Sequence, residues 1–212
     1  MGTLKQLLPF IPEPLRDCYL SYKYNKQLKK WERQGCPLPT PHVVKQLAIK
    51  SYQERFNIET LVETGTYLGD MVYAQRKLFK KIYTIELSEQ LYEMCVKRLK
   101  KYKNIQVIQG DSGVVLASVV KEINEKTIFW LDGHYSGGIT AKGETESPVM
   151  QELKTILESN IEHIILIDDA REFNGTSDYP SIQELETVIR EKGFLNSTVI
   201  VKDDIVRIEL EF

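Results

Sequence analysis

From Glu59 onward the hydrophobic period of the chain switches repeatedly between two and about 3.6 residues, and this alternation limits the fold more than any other feature. Five apolar, strand-like runs appear in order: "IETLVET", "KIYTIEL", "NIQVIQG", "KTIFWLDG" and "IEHIILIDD". Each is followed by a run with helical spacing: "GDMVYAQRKLF", "SEQLYEMCVKRLKKY", "DSGVVLASVVKEI", "SPVMQELKTILES" and "SIQELETVIREKG". Ser88 and Ser147 stand where N-caps belong, with Pro148 in a first turn and Gly193 past a last one. "STVIVK" and "IVRIELEF" then form a hairpin across Asp203-Asp204. Five strand–helix units predict an α/β fold with a mainly parallel sheet covered on both faces. The hairpin brings the count to seven strands and adds antiparallel pairing. Such sheets bind ligands at the carboxyl ends of their strands, near the switch in strand order.

Residues 1–58 read differently, as a helical N-terminal extension to a domain spanning 59–212. "LRDCYLSYKYNKQLKKWERQG" is a basic, aromatic helix, "CPLPTPH" is a proline-rich break, and "HVVKQLAIKSYQERF" is a further helix. Across the whole chain, 28 Lys and Arg against 30 Asp and Glu leave a net charge of −2, which gives no global pull toward nucleic acid or an acidic membrane. The basic helix reads first as a solvated face. Cys18, Cys36 and Cys95 form no C-x-x-C pair, which argues against a disulfide scaffold or zinc ribbon and fits a reducing compartment. The amino terminus lacks the apolar core of a signal peptide, Gln6 stands where a myristoylation signal needs Ser or Thr, and no apolar run reaches membrane-spanning length. The expectation is a soluble cytoplasmic protein with no nucleic-acid partner and no stable membrane insertion. A homodimer is compatible with it.

The first strand leads into Glu63-Thr64-Gly65-Thr66-Tyr67-Leu68-Gly69. A dinucleotide fingerprint, G-x-G-x-x-G, needs bare backbone against a pyrophosphate. Tyr67 stands at the middle position instead, so the loop suits a ligand without phosphates there. This E-x-G-x-x-x-G pattern resembles the first motif of the class I S-adenosylmethionine-dependent methyltransferases, which have a Rossmann-like sheet. The resemblance implies that Glu63, Gly65, Thr66, Tyr67 and Gly69 line the methionine part of the cofactor. Glu86 ends the second strand 21 residues after Gly65 (86 − 65), where an acid accepts from ribose hydroxyls in both methyltransferases and NAD enzymes. Asp111 and Ser112 end the third strand where the family contacts adenine, and either can equally cap the next helix. The resemblance runs from about Glu59 to the carboxyl terminus.

Carboxylates gather at the last two parallel strands. Asp132 ends the fourth, and "HIILIDDARE" ends the fifth on Asp168-Asp169. Neighbouring parallel strands lie about 4.8 Å apart, so these three acids can converge. Adjacent carboxylates raise each other's pKa unless a positive charge sits between them. A magnesium ion bound by Asp132, Asp168 and Asp169 would supply it. This arrangement resembles the metal-dependent O-methyltransferases of the catechol and macrolide-sugar type, which implies a hydroxyl acceptor such as a sugar, a glycoside or a phenol. In that family Asp132 would also face the cofactor and the reacting atoms. The catechol branch carries a lysine base where this chain has Tyr135, which leaves His134 as the substitute base. Asp169 can pair with Arg171, and Arg171 or Lys142 can hold an anionic acceptor. His163 and His42 read as structural. Two rival readings are an NAD-linked oxidoreductase, which Tyr67 disfavours, and a non-catalytic nucleoside-binding module.

Overall fold

The computed structural model describes residues 11–133, 148–176 and 179–212. Two helices come first, α1 (Glu13–Arg33) and α2 (His42–Phe56). The alternating region follows as β1 (Thr60–Thr64), α3 (Asp70–Gln75), β2 (Lys81–Glu86), α4 (Glu89–Leu99), β3 (Ile105–Gln109), α5 (Ser112–Lys121), β4 (Ile128–Leu131), α6 (Val149–Leu157) and β5 (Ile164–Ile167). A 3-10 turn (Ala170–Glu172), α7 (Ile182–Glu191), β6 (Thr198–Lys202) and β7 (Ile205–Glu209) complete the chain. The seven strands form one sheet in the order β3-β2-β1-β4-β5-β7-β6. The first five strands pair in parallel, and β7 runs antiparallel between β5 and β6. Asp203 and Asp204 both take positive φ, as the two-residue hairpin turn between β6 and β7 demands.

Strand alternation divides the core in two. Phe129 and Leu131 of β4 face α5, α6 and α7, whose Leu116, Val119, Leu153, Ile156, Leu185 and Ile189 cover that side. Ile128 and Trp130 face the other way, onto Met71 and Val72 of α3, Cys95 and Leu99 of α4, and Ala48, Ile49 and Tyr52 of α2. The sheet is thus covered on both faces, and α2 is one of the covering helices. The boundary expected at residue 58 falls after a helix that shares the core of the sheet. By contrast, α1 buries none of its residues. It is attached through Leu20, which packs partly buried against the second cluster, and through polar contacts: Arg76 donates to Glu13 and Asp17, and the Tyr73 hydroxyl donates to Asp17 at 2.8 Å.

Ser88 and Asp111 cap their helices as expected, whereas Pro148, expected in the first turn of α6, stands at its N-cap position. Ser88 accepts from the Leu91 N–H, Asp111 from the Gly113 N–H, and Ser181 with Glu184 makes a full capping box. Gly193 follows α7 with φ +93°. His163 is fully buried: its Nδ1 accepts from the Thr127 N–H, and its Nε2 lies 3.0 Å from the Ser159 hydroxyl, which is a structural role. His42 Nδ1 lies 2.6 Å from the Gln46 side-chain amide nitrogen. No helix among the described residues is long and apolar enough to cross a membrane.

Candidate active site

Strand order reverses between β1 and β4, so the loops after these two strands diverge and leave a crevice at their carboxyl ends. The register brings four of the expected residues to that edge. The Gly65 N–H donates to the Ile85 carbonyl of β2 at 2.9 Å, and the Asp132 N–H donates to the Thr64 carbonyl of β1 at 3.1 Å. The Asp168 N–H donates to the Leu131 carbonyl of β4 at 3.0 Å. Glu86, Gly65, Asp132 and Asp168 therefore stand in a row along four adjacent strands.

The loop after β1 is shaped by its two glycines. Gly65 has φ +82°, and a Cβ there would lie 2.2 Å from the Asp132 carbonyl oxygen. Only a bare backbone fits between β1 and β4. Gly69 has φ +74° and precedes α3. Tyr67 between them also has positive φ (49°) and is half exposed. Its N–H donates to Glu86 Oε2 at 2.7 Å, and its carbonyl accepts from the Cys95 thiol at 3.1 Å. The other Glu86 oxygen accepts from the Ser88 N–H at 2.9 Å. Glu86 thus holds the loop shut, and a carboxylate with two such bonds keeps lone pairs for a ribose. Burial raises its pKa, and the N–H groups of Ser88 and Tyr67 pull it back.

Glu63 is turned inward, where it accepts from the Thr84 hydroxyl, which in turn lies 2.5 Å from the Thr66 hydroxyl. Burial, opposed by that Thr84 hydrogen bond, drives its pKa to about 8. Asp111 does cap α5, accepting from the Gly113 N–H at 2.9 Å, and Ser112 is buried beside it. A residue that sequence reasoning passed over joins them: Glu152 of α6 is 1% exposed, burial raises its pKa to about 7, and the Ser112 and Thr64 hydroxyls oppose that shift. Its sequence signal was only an acid on the apolar face of an amphipathic helix.

The acids at β4 and β5 already have positive partners. The Lys45 ammonium, from α2, donates to Asp168 Oδ2 and lies 3.7 Å from Asp169 Oδ1. Arg171 donates to Asp169 Oδ1 at 2.8 Å and also to Asp204. Burial works against the Lys45 charge, but the Asp168 carboxylate outweighs it and holds the pKa above the ordinary lysine value. Asp132 is pushed well above the usual carboxylate range by burial and by the Asp168 charge, with Lys45 opposing. Asp168 moves up for the same first reason, again opposed by Lys45.

No protein-family model and no curated protein sequence matches the chain. Solved structures do. The methyltransferase PaMTH1 of Podospora anserina, bound to SAH, superposes with a TM-score of 0.58 over 95% of this chain and 97% of that one, at 17% identity. The O-methyltransferase TomG of Streptomyces achromogenes, involved in tomaymycin synthesis and in complex with SAM, gives 0.62 over 89% of each chain at 11% identity. An O-methyltransferase from Bacillus cereus in complex with SAH gives 0.57 over 89% of this chain and 90% of that one, at 13% identity. The fold is that of the class I methyltransferases.

Within this methyltransferase fold, the structure gathers Glu63, Gly65, Thr66, Tyr67, Gly69 and Glu86 around one loop, and Asp132 stands directly beneath Gly65. Asp111 and Ser112 sit at the end of β3. His134, Tyr135, Lys142 and Ser147 lie outside the described residues. The magnesium expectation does not fit Asp132, Asp168 and Asp169 as they are placed. Asp168 and Asp169 are turned to an ammonium and a guanidinium, and no group of three or more His, Cys, Asp or Glu among the described residues is arranged to hold a metal.

Proposed function

We propose that this protein is an S-adenosylmethionine-dependent methyltransferase acting on a hydroxyl of a small molecule, such as a sugar, a glycoside or a phenol. One observation carries the reading: a Gly65 backbone pressed onto Asp132, flanked by Tyr67 and closed by Glu86, at the switch point of this sheet. Tyr67 stands where a dinucleotide fingerprint needs a bare glycine, while Glu86 keeps acceptor capacity for a ribose. The names of the three superposed structures point the same way.

When bound, S-adenosylmethionine supplies a methyl group already activated on a sulfonium. The residues of the chain then have three tasks: to hold the nucleoside, to align the acceptor hydroxyl for in-line attack, and to take up its proton. Glu86 and the Gly65 loop serve the first. Lys45 pairs with Asp168 at the acceptor end, and the lone pairs that Asp168 keeps can accept a hydrogen bond from the acceptor hydroxyl and orient it. The proton released on methyl transfer passes to a basic group at this end. Lys45 is not that group, because its pairing with Asp168 keeps it protonated. His134 remains the assigned base from sequence, and no step runs through a metal.

Replacing Glu86 with alanine tests the nucleoside assignment. It removes a charged acceptor and frees the Tyr67 N–H. S-adenosylhomocysteine binding by calorimetry should weaken by about 1.5–3 kcal/mol, roughly ten- to a hundredfold. Unchanged affinity in a folded Glu86→Ala protein would place the ribose elsewhere.

A further inference from the structure

Asp168 and Asp169 are adjacent in sequence, largely buried, and close to a third acid, Asp132. Such a group needs positive charge at short range. The structure meets that need from a distant part of the chain. Lys45 lies 123 residues before Asp168, on α2, and its side chain is only 15% exposed. The apolar residues around it fix its position: Val43, Val44, Ala48 and Ile49 are buried, the last completely. The helix backbone is therefore held on the core, and the ammonium is delivered to the acids by packing rather than by a mobile surface chain. Arg171 closes the opposite side of Asp169 and binds Asp204 as well.

A magnesium ion needs near-octahedral oxygen geometry and several of its own waters. The Asp168 oxygens are already engaged: Oδ2 by the Lys45 ammonium and Oδ1 by the Asp169 N–H at 2.9 Å. We infer that Lys45 is the resident cation of this carboxylate cluster, so that the native protein keeps these acids charge-balanced without metal. Lys45 is thus a positioning residue, acting through Asp168 and Asp169. The assignment rests on the methyl-transfer reading for what the acids do, but not for how their charge is balanced.

The test is a divalent-ion titration of the full chain. Chelator-treated wild type, Lys45→Met and Lys45→Met/Asp168→Asn are titrated with Mn2+ by calorimetry and melted with and without Mg2+. Wild type should show no saturable Mn2+ site below millimolar concentration and a melting temperature indifferent to Mg2+. Lys45→Met should gain a site about tenfold or more tighter, since a repelling charge has left and Asp168 Oδ2 is uncovered. The double variant should lose that site again. A merely structural lysine would not move metal affinity at all. A stoichiometric wild-type Mn2+ site, or a folded Lys45→Met that gains none, overturns the inference. The wild-type arm needs no variant to fold, and Lys45→Gln serves as a second neutral replacement. S-adenosylhomocysteine binding is measured on the same wild-type sample. Its absence would sink the methyl-transfer reading while the Mn2+ titration still decides the identity of the cation.

Discussion

Gly65→Ala is expected to abolish measurable S-adenosylhomocysteine binding and to lower stability by about 3 kcal/mol or more, roughly 6–12 °C in Tm for a domain of this size. The added Cβ would stand 2.2 Å from the Asp132 carbonyl oxygen and 2.8 Å from its carbon. Both are backbone atoms at the end of a central strand, so neither can yield without parting β1 from β4. Positive φ adds a conformational cost of about 1–2 kcal/mol. Gly69→Ala is the control. It has a similar φ, but its Cβ would meet the Leu99 and Cys95 side chains at 3.3 and 3.5 Å. Side-chain ends can give way, so Gly69→Ala should cost little beyond the about 1–2 kcal/mol of its positive φ and retain binding. Paired thermal melts and calorimetry compare the two. Equal, small effects at both positions would contradict the close approach of the Gly65 loop to Asp132.

Removing residues 1–58 is expected to leave no soluble folded protein, whereas removing residues 1–35 should leave a folded one. The longer deletion takes away Val43, Val44, Ala48, Ile49 and Tyr52 and uncovers Leu61, Trp130 and Leu166. At about 1.5–3 kcal/mol for each large side chain, the loss is comparable to a typical whole-domain stability of about 5–15 kcal/mol. The shorter deletion takes α1, which has no fully buried residue and reaches the core only through Leu20. It breaks pairs of Glu13 and Asp17 with Arg76, Lys77 and Lys101. Such partly exposed pairs contribute about 0–1 kcal/mol each. Turnover should still fall in the shorter deletion. Arg16 and Asp17 both bond the Tyr73 hydroxyl, and Tyr73 belongs to the helix that starts after Gly69. Soluble expression and circular dichroism decide the first point, and a turnover assay the second. Full activity without residues 1–35 would remove α1 from any catalytic role.

The sheet was legible because its information is local. Each parallel strand is a short apolar run, each helix carries its own period, and caps such as Ser88 and Asp111 lie within three residues of what they bind. The double-aspartate hairpin was legible for the same reason. The cofactor loop was half legible. Its glycines and Glu86 stand at fixed offsets from strand ends, but nothing local showed that Gly65 is required by the Asp132 carbonyl or that Glu63 turns inward to Thr84. The acid cluster was legible as a problem of charge and not in its solution. Arg171 lies two residues from Asp169 and was an open candidate for its partner. Lys45 was hidden, because a lysine in a mixed helix reads as solvent-facing until the tertiary fold brings that helix across β4 and β5. Glu152 was hidden likewise, since helical spacing shows which face is buried and not which buried position holds an acid.

The crevice between β1 and β4 is expected to hold S-adenosylmethionine. The most direct measurement is calorimetric titration of the purified full chain with S-adenosylhomocysteine and, separately, with NAD. The predicted result is saturable, near-stoichiometric binding of S-adenosylhomocysteine, with a matching rise in Tm through mass action and far weaker or no binding of NAD. Tighter binding of NAD, or no binding of S-adenosylhomocysteine, would contradict it.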